Sequence, residues 1–261
     1  MSATWSIFTK PWKNKTVDEL GSFVSGLGFN GVEFPVRPGY QVEPENAEKG
    51  LKQLSETLAA YGVKVSSVAS VTEERVFAGC QAAGCRILRI MAPCDRSKGF
   101  YASVDELRSK LYALQPLCEK YGVTVGVQQH YGFGVFNTME LNYLLRDMDT
   151  RYVGAIWDAA HSALSGEIPE QALEIIYDKL CLVNFKTAYQ RRTNGPEAEQ
   201  AEFRPYFTTG RNGQASWKAA ADYLKARSYA GDICMPAEYT DEANVEKYIA
   251  EDVKYAKSLF V

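Results

Sequence analysis

The feature that most constrains this chain is a recurring stop. A helical pattern runs into a glycine, and a short β-branched run follows at once. It occurs at Gly28–Glu33, Gly62–Val65, Gly84–Ile87 and Gly122–Val125. Glycine just past the last periodic apolar position ends a helix, because it adopts left-handed backbone at little cost. Each stop therefore marks a helix delivered directly into a strand.

Apolar runs of strand length lie at Trp5–Thr9, Val32–Pro35, Val63–Ala69, Ile87–Ala92, Val123–His130, Val153–Trp157, Leu180–Lys186 and Ile233–Glu238. Helical patterns fill the gaps. Thr16 with Glu19, and Ser103 with Glu106, have capping-box spacing and predict helices starting there. Pro44 and Glu45 open a long helix, Thr72 a shorter one, and further helices begin near Thr138, Pro169, Ser216 and Glu242. Strict strand–helix alternation predicts a parallel sheet, and eight units in 261 residues predict one (β/α)8 TIM barrel spanning residues 1–261. An open doubly wound sheet competes, but no Gly-x-Gly-x-x-Gly follows the first run. One connection is too long for a barrel. Between Ala188 and Ser216, after the seventh strand, lies a polar stretch carrying Phe203, Tyr206 and Phe207 among several arginines. Such length predicts an ordered lid or an oligomer contact.

Net charge is −3, with no lysine or arginine run, which argues against nucleic acid or an anionic membrane as partner. No apolar stretch approaches the ~20 residues that span a bilayer. The first residues enter a strand-like run without a basic region or an apolar signal core, so a cytoplasmic protein is expected. The six cysteines lack metal or redox spacing and are expected to be reduced, mostly buried thiols.

Barrel active sites lie at the C-terminal strand ends, and alternate strand residues face the interior. By that parity Gln128 and His130 share a face, Asp158 joins Ile156, and Asn184 joins Lys186. Glu238 closes the last strand, and Glu33 opposes Val32 and Phe34. Each late strand thus ends in an inward polar group: Gln128, Asp158, Asn184 or Glu238. Two carboxylates and two amide oxygens form a hard-oxygen set suited to Mn2+ or Mg2+. His161, three residues beyond Asp158, and His130 are the only histidines. Glu33, Arg211 and Trp12 are candidate substrate contacts. Arg211 would reach over the mouth, and Trp12, Tyr131, Trp157 and Tyr239 offer faces on which a sugar ring could stack. Arg37 and Arg89 fit either the mouth or a structural ion pair.

This ordered set resembles the xylose isomerase-like TIM-barrel superfamily of sugar isomerases and epimerases, over nearly the whole chain. The family's strand-five Glu-x-His is matched by Gln128-Gln129-His130, and its strand-six Asp-x-x-His by Asp158 and His161. Its strand-seven His-x-Lys is matched by Asn184 and Lys186, and its terminal glutamate by Glu238. Thr209–Gly213 ahead of Trp217 resembles the family's late glycine loop. The resemblance implies a divalent metal on Asp158, Glu238, Gln128 and Asn184, with two usual ligands replaced by amides. Family epimerases use two glutamates as bases on opposite faces. Gln128 has no proton to exchange, which argues against that scheme.

The leading expectation is a sugar or polyol isomerase or epimerase that abstracts a proton beside a carbonyl. Glu238 would be the base, and His130, His161 and Lys186 would bind and polarise the substrate. If no metal takes part, Lys186 and the histidines must stabilise the enolate, and a lyase, dehydratase or C-glycoside-cleaving enzyme is the alternative. A silent sugar-binding or assembly subunit is the non-enzymatic reading. An apurinic-site endonuclease would need more histidines than this chain has. The family resemblance also implies a homo-oligomer.

Overall fold

A computed structural model describes residues 3–261. Met1 and Ser2, the start of the expected domain, lie outside the described residues. Eight strands form the barrel wall: β1 Thr4–Phe8, β2 Gly31–Pro35, β3 Lys64–Ala69, β4 Ile87–Met91, β5 Thr124–Gln128, β6 Val153–Asp158, β7 Leu180–Asn184 and β10 Asp232–Met235. They close in the order β1-β10-β7-β6-β5-β4-β3-β2, every pairing parallel. This is the expected (β/α)8 barrel. Its helices are α1 Val17–Gly26, α2 Ala47–Ala59, α3 Glu74–Ala82, α4 Phe100–Tyr121, α5 Thr138–Leu144, α6 Ala159–Leu164, α7 Pro169–Ile176, α8 Trp217–Ala226 and α9 Val245–Ser258. None is long and apolar enough to cross a membrane among the described residues.

The glycine stops behave as their positions imply. Gly122 ends α4 at φ 64°, and its N–H donates to the Cys118 carbonyl. Gly28, Gly62 and Gly84 take the same left-handed region. The Thr16–Glu19 capping box forms in full. The Ser103–Glu106 box does not, and α4 begins three residues earlier, at Phe100. Ser103 lies inside the helix, its hydroxyl donating back to the Gly99 carbonyl and accepting from the Asp95 N–H. It ties down the preceding loop rather than capping the helix. Pro44–Asn46 forms a 3-10 turn before α2, and α3 starts at Glu74 rather than Thr72.

The apolar residues divide between two regions. The larger lies between sheet and helices and holds Phe34, Phe77, Trp157, Phe185 and Trp217. The smaller fills the barrel interior with Phe8, Ala69, Ile87, Ile156, Leu182 and Cys234. A Cβ on Gly126 would fall 2.6 Å from Ile156 Cδ1, so a glycine is needed there for Ile156 to fill the interior. Above this layer the inward positions turn polar. The long connection after β7 is not open loop. β8 (Thr187–Arg192) and β9 (Phe203–Thr208) pair antiparallel as a hairpin. The six cysteines are all free, four of them buried.

Candidate active site

The mouth is built from residues at and just beyond the C-terminal strand ends, and the local sequence explains the placement of Asp158, His161 and Glu238. Asp158 is the last residue of β6 and also caps α6, a helix not anticipated from the sequence. Its Oδ1 accepts from the backbone N–H groups of Ala160 (3.0 Å) and His161 (3.2 Å). That leaves Oδ2 facing the interior. α6 turns His161 into the same space, fully buried. Glu238 lies three residues beyond β10, after Pro236 and Ala237. Ala237 sits at φ 53°, a left-handed conformation costing about 1 kcal/mol or more in a non-glycine residue. This strained turn aims Glu238 into the mouth.

At the centre stands the Lys186 ammonium. It lies 3.1 Å from His161 Nε2, 3.2 Å from Glu238 Oε2 and 3.4 Å from Asp158 Oδ2. The Phe207 ring, from β9, covers it at 4.9 Å. Glu238 Oε1 accepts from Lys10 Nζ at 2.6 Å. On the other side Gln128 Nε2 donates to Asp158 Oδ2 (2.7 Å), and its Oε1 accepts from Arg89 Nη1 (2.6 Å). Arg89 Nε in turn donates to Glu33 (2.7 Å), which also accepts from Ser67. The polar atoms form one chain: Lys10, Glu238, Lys186, Asp158, Gln128, Arg89, Glu33, Ser67.

Electrostatics follow from this pairing. Burial opposes ionisation of Glu238, but Lys186 and Lys10 outweigh it and hold the carboxyl well below its usual range. Burial also opposes the charge on Asp158, and there the Lys186 ammonium and the hydrogen bond from the His161 backbone N–H more than offset it. Lys186 shows the mirror image: burial disfavours its charge, and Asp158 and Glu238 restore it, leaving the ammonium harder to deprotonate than in water. Both histidines are held neutral. Burial drives His161 far below the ordinary imidazole value, with Lys186 adding to the effect. Burial also lowers His130, although its bond to the Tyr131 carbonyl works the other way. That bond joins Nδ1 to the carbonyl at 2.9 Å, so Nδ1 carries the proton and the Nε2 lone pair is free.

Above this floor opens a cavity of about 1160 Å3. Lys10, Trp12, His130, Tyr131, Lys186, Phe207 and Glu238 are among the residues that line it. The structure thus gathers His130, His161, Lys186, Asp158, Glu238, Gln128 and Asn184 at one mouth, with Trp12 on the cavity wall. Two expected substrate contacts fall elsewhere. Glu33 is fully buried beneath the cavity and engaged with Arg89 and Ser67. Arg211 is absent from the cavity wall and stacks 3.9 Å over the Tyr255 ring of α9. Trp157 is packed in the helix-side core, whereas Tyr239 lines the cavity with its hydroxyl donated to Asp252. Lys10 escaped the sequence reading, although strand parity contained the signal: it lies two residues past inward-facing Phe8. The aromatic cover from Phe207 depends on the hairpin, which no local pattern announced.

The donor set does not fit a divalent metal as it stands. Glu33, Asp158 and Glu238 are already matched by Arg89, Lys186 and Lys10. Gln128 turns its only oxygen toward Arg89. Asn184 Oδ1 is buried without a partner, yet it is one neutral amide. A dication about 3.5 Å from the Lys186 ammonium would be repelled by roughly 9 kcal/mol at an effective dielectric of ~20. Among the described residues, no group of three or more His, Cys, Asp or Glu side chains is arranged to hold a metal.

Comparison with known proteins agrees with this architecture. The family model of the xylose isomerase-like TIM barrel matches residues 22–259. An inosose dehydratase of Lactiplantibacillus plantarum is 22% identical over 269 residues, covering 90% of this chain and 88% of that protein. Among solved structures, the probable 3-DHS dehydratase AsbF involved in petrobactin synthesis from Bacillus anthracis aligns with a TM-score of 0.74 and 12% identity, over 97% of this chain and 98% of that one. The 3-keto-D-glucoside 4-epimerase YcjR from E. coli aligns at 0.73 and 12%, over 98% and 100%. At such identities the structural likeness speaks for the fold alone. The family model spans nearly all of the barrel, from α1 to the end of α9, and the chain therefore belongs to the xylose isomerase-like TIM-barrel family.

Proposed function

We propose that this chain is a lyase that dehydrates a keto-polyol or keto-sugar, removing the proton beside the carbonyl and then the neighbouring hydroxyl. The observation that carries this reading is that, among the groups gathered at the strand ends, His130 offers a base with a free lone pair. His130 lines the cavity with a neutral imidazole whose Nδ1 is held by the Tyr131 carbonyl, leaving Nε2 unprotonated. Glu238, the base expected from sequence, is clamped between two lysines and is a poor proton acceptor. Gln128 cannot supply a second base on the opposite face.

The steps balance with that one base. His130 Nε2 takes the proton, and the C–H electron pair moves to the carbonyl oxygen, where the Lys186 and Lys10 ammoniums face the developing negative charge. The enolate then re-forms its carbonyl, its carbon–carbon electron pair becomes a double bond to the β carbon as the C–O bond there breaks, and the proton on His130 leaves with that oxygen as water. Asp158, Glu238 and His161 hold Lys186 in place. Tyr131 and Phe207 shape an aromatic wall, and Trp12 is fixed on the cavity edge by its bond to Glu246. The inosose dehydratase relatives support this direction.

The test is a panel of inososes and keto-sugars incubated in D2O, following proton exchange by NMR and enone formation by ultraviolet absorbance. Dehydration is expected, and His130→Ala is expected to lower kcat by ~10²–10⁴-fold for both exchange and water loss. Exchange with a change of configuration and no water loss would instead favour the isomerase or epimerase reading. Absence of exchange on every substrate would reject proton abstraction.

A further inference from the structure

We infer that the Lys186 ammonium occupies the cation position of this barrel mouth, so that the chain assembles its site without a divalent metal. An ammonium has three N–H donors, and Lys186 Nζ has three acceptors within 3.4 Å: His161 Nε2, Glu238 Oε2 and Asp158 Oδ2. The Phe207 ring packs beside the ammonium, its centroid 4.9 Å away. The cation is therefore held on most sides, and its side chain, 5% exposed, still borders the cavity.

Gln128 supplies an independent argument. Two neighbours fix its amide, and they agree. Arg89 can only donate, so the oxygen must face it, and ionised Asp158 can only accept, so the nitrogen must face that. A carboxylate at this position would set two negative oxygens against each other unless a cation lay between them. The amide N–H does the joining that a metal would do. The ring then closes electrically, with Lys10, Arg89 and Lys186 matching Glu33, Asp158 and Glu238. Asn184 Oδ1 remains a buried acceptor without a partner beside this arrangement.

The inference does not rest on the proposed reaction, and its test is read without substrate. Chelator-treated protein is titrated with MnCl2, and free Mn2+ is followed by electron paramagnetic resonance. Wild type is expected to bind no stoichiometric Mn2+ up to millimolar concentration. The combined variant Gln128→Glu, Asn184→His, Lys186→Met removes the ammonium and restores ionisable and imidazole ligands. It is expected to bind Mn2+ one-to-one, at least ~10²-fold more tightly than wild type. Stoichiometric micromolar binding by wild type would overturn the inference. So would a combined variant that folds, judged by circular dichroism, yet binds no Mn2+. If that variant fails to fold, the wild-type titration decides alone.

Discussion

Replacing Gln128 by glutamate tests the polar chain at its most sensitive joint. The amide nitrogen lies 2.7 Å from Asp158 Oδ2. A carboxylate oxygen there would repel ionised Asp158 by about 6 kcal/mol at an effective dielectric of ~20. The chain has a less costly option, which is to keep the new carboxyl protonated and let its O–H donate to Asp158. At pH 7 that costs about 3.7 kcal/mol, from 1.36 kcal/mol per unit between pH 7 and an ordinary glutamate pKa of ~4.3. Attraction from Arg89, 2.6 Å away, lowers the figure, although Arg89 is already paired with Glu33. The expected loss is roughly 2–4 kcal/mol at pH 7. Its pH dependence follows from the raised folded-state pKa. The penalty is full where the unfolded glutamate is ionised and the folded one is not. It shrinks by up to ~1.4 kcal/mol per unit as pH falls toward ~4.3. Urea unfolding of both proteins between about pH 5 and pH 8 measures it. A Gln128→Glu protein as stable as wild type at pH 7, or one with a pH-independent deficit, would show that the amide does not bridge Arg89 to Asp158.

Two further expectations concern titration. The acid limb of kcat/KM should lie below the ordinary imidazole value of ~6.5, because burial lowers His130, and activity should persist into alkaline solution, because Asp158 and Glu238 hold the charge on Lys186; an acid limb near 7 or above would remove His130 as the base. Asp252 is buried beside the Gly210 N–H and the Tyr239 hydroxyl, and burial pushes its carboxyl up to about 6. Its raised pKa destabilises the fold above pH 6, and the penalty fades as pH falls toward ~4, so Asp252→Asn should gain about 1–3 kcal/mol at pH 8 and little at pH 4 in thermal melts. A variant destabilised equally at both pH values would contradict this.

The barrel was legible in the sequence because its stops are local. A glycine in left-handed conformation after a helix is the same event wherever it occurs, and Gly28, Gly62, Gly84 and Gly122 repeat it. Strand parity also carried far: it put Gln128, Asp158, Asn184 and Lys186 on the inner face, where they are. Parity says which face a side chain takes, but not what it bonds once there. The orientation of the Gln128 amide is set by Arg89, 39 residues away in sequence. The clamp on Glu238 depends on Lys10, 228 residues away. The role of Ser103 was misjudged because capping-box spacing also occurs inside a helix whose true start is fixed by Gly99 at φ 79°. α6 was missed because one residue, Asp158, serves as both strand end and helix cap. Arg211 was placed at the mouth for its charge, whereas its guanidinium covers Tyr255.

The polar chain across the mouth has a mechanical consequence. Its members come from every stave of the barrel: Ser67 on β3, Glu33 on β2, Arg89 on β4, Gln128 on β5, Asp158 on β6, and Lys186, Glu238 and Lys10 just past β7, β10 and β1. It acts as a hoop. Prising apart β4 and β5, β5 and β6, β6 and β7, β7 and β10, or β10 and β1 stretches one of its links. The widths of those gaps are thereby coupled, and a substrate that pulls on Lys186 tugs on both flanks at once. The hoop's charged members are matched to partners of opposite sign, so one of them cannot change protonation without its neighbours feeling the slack.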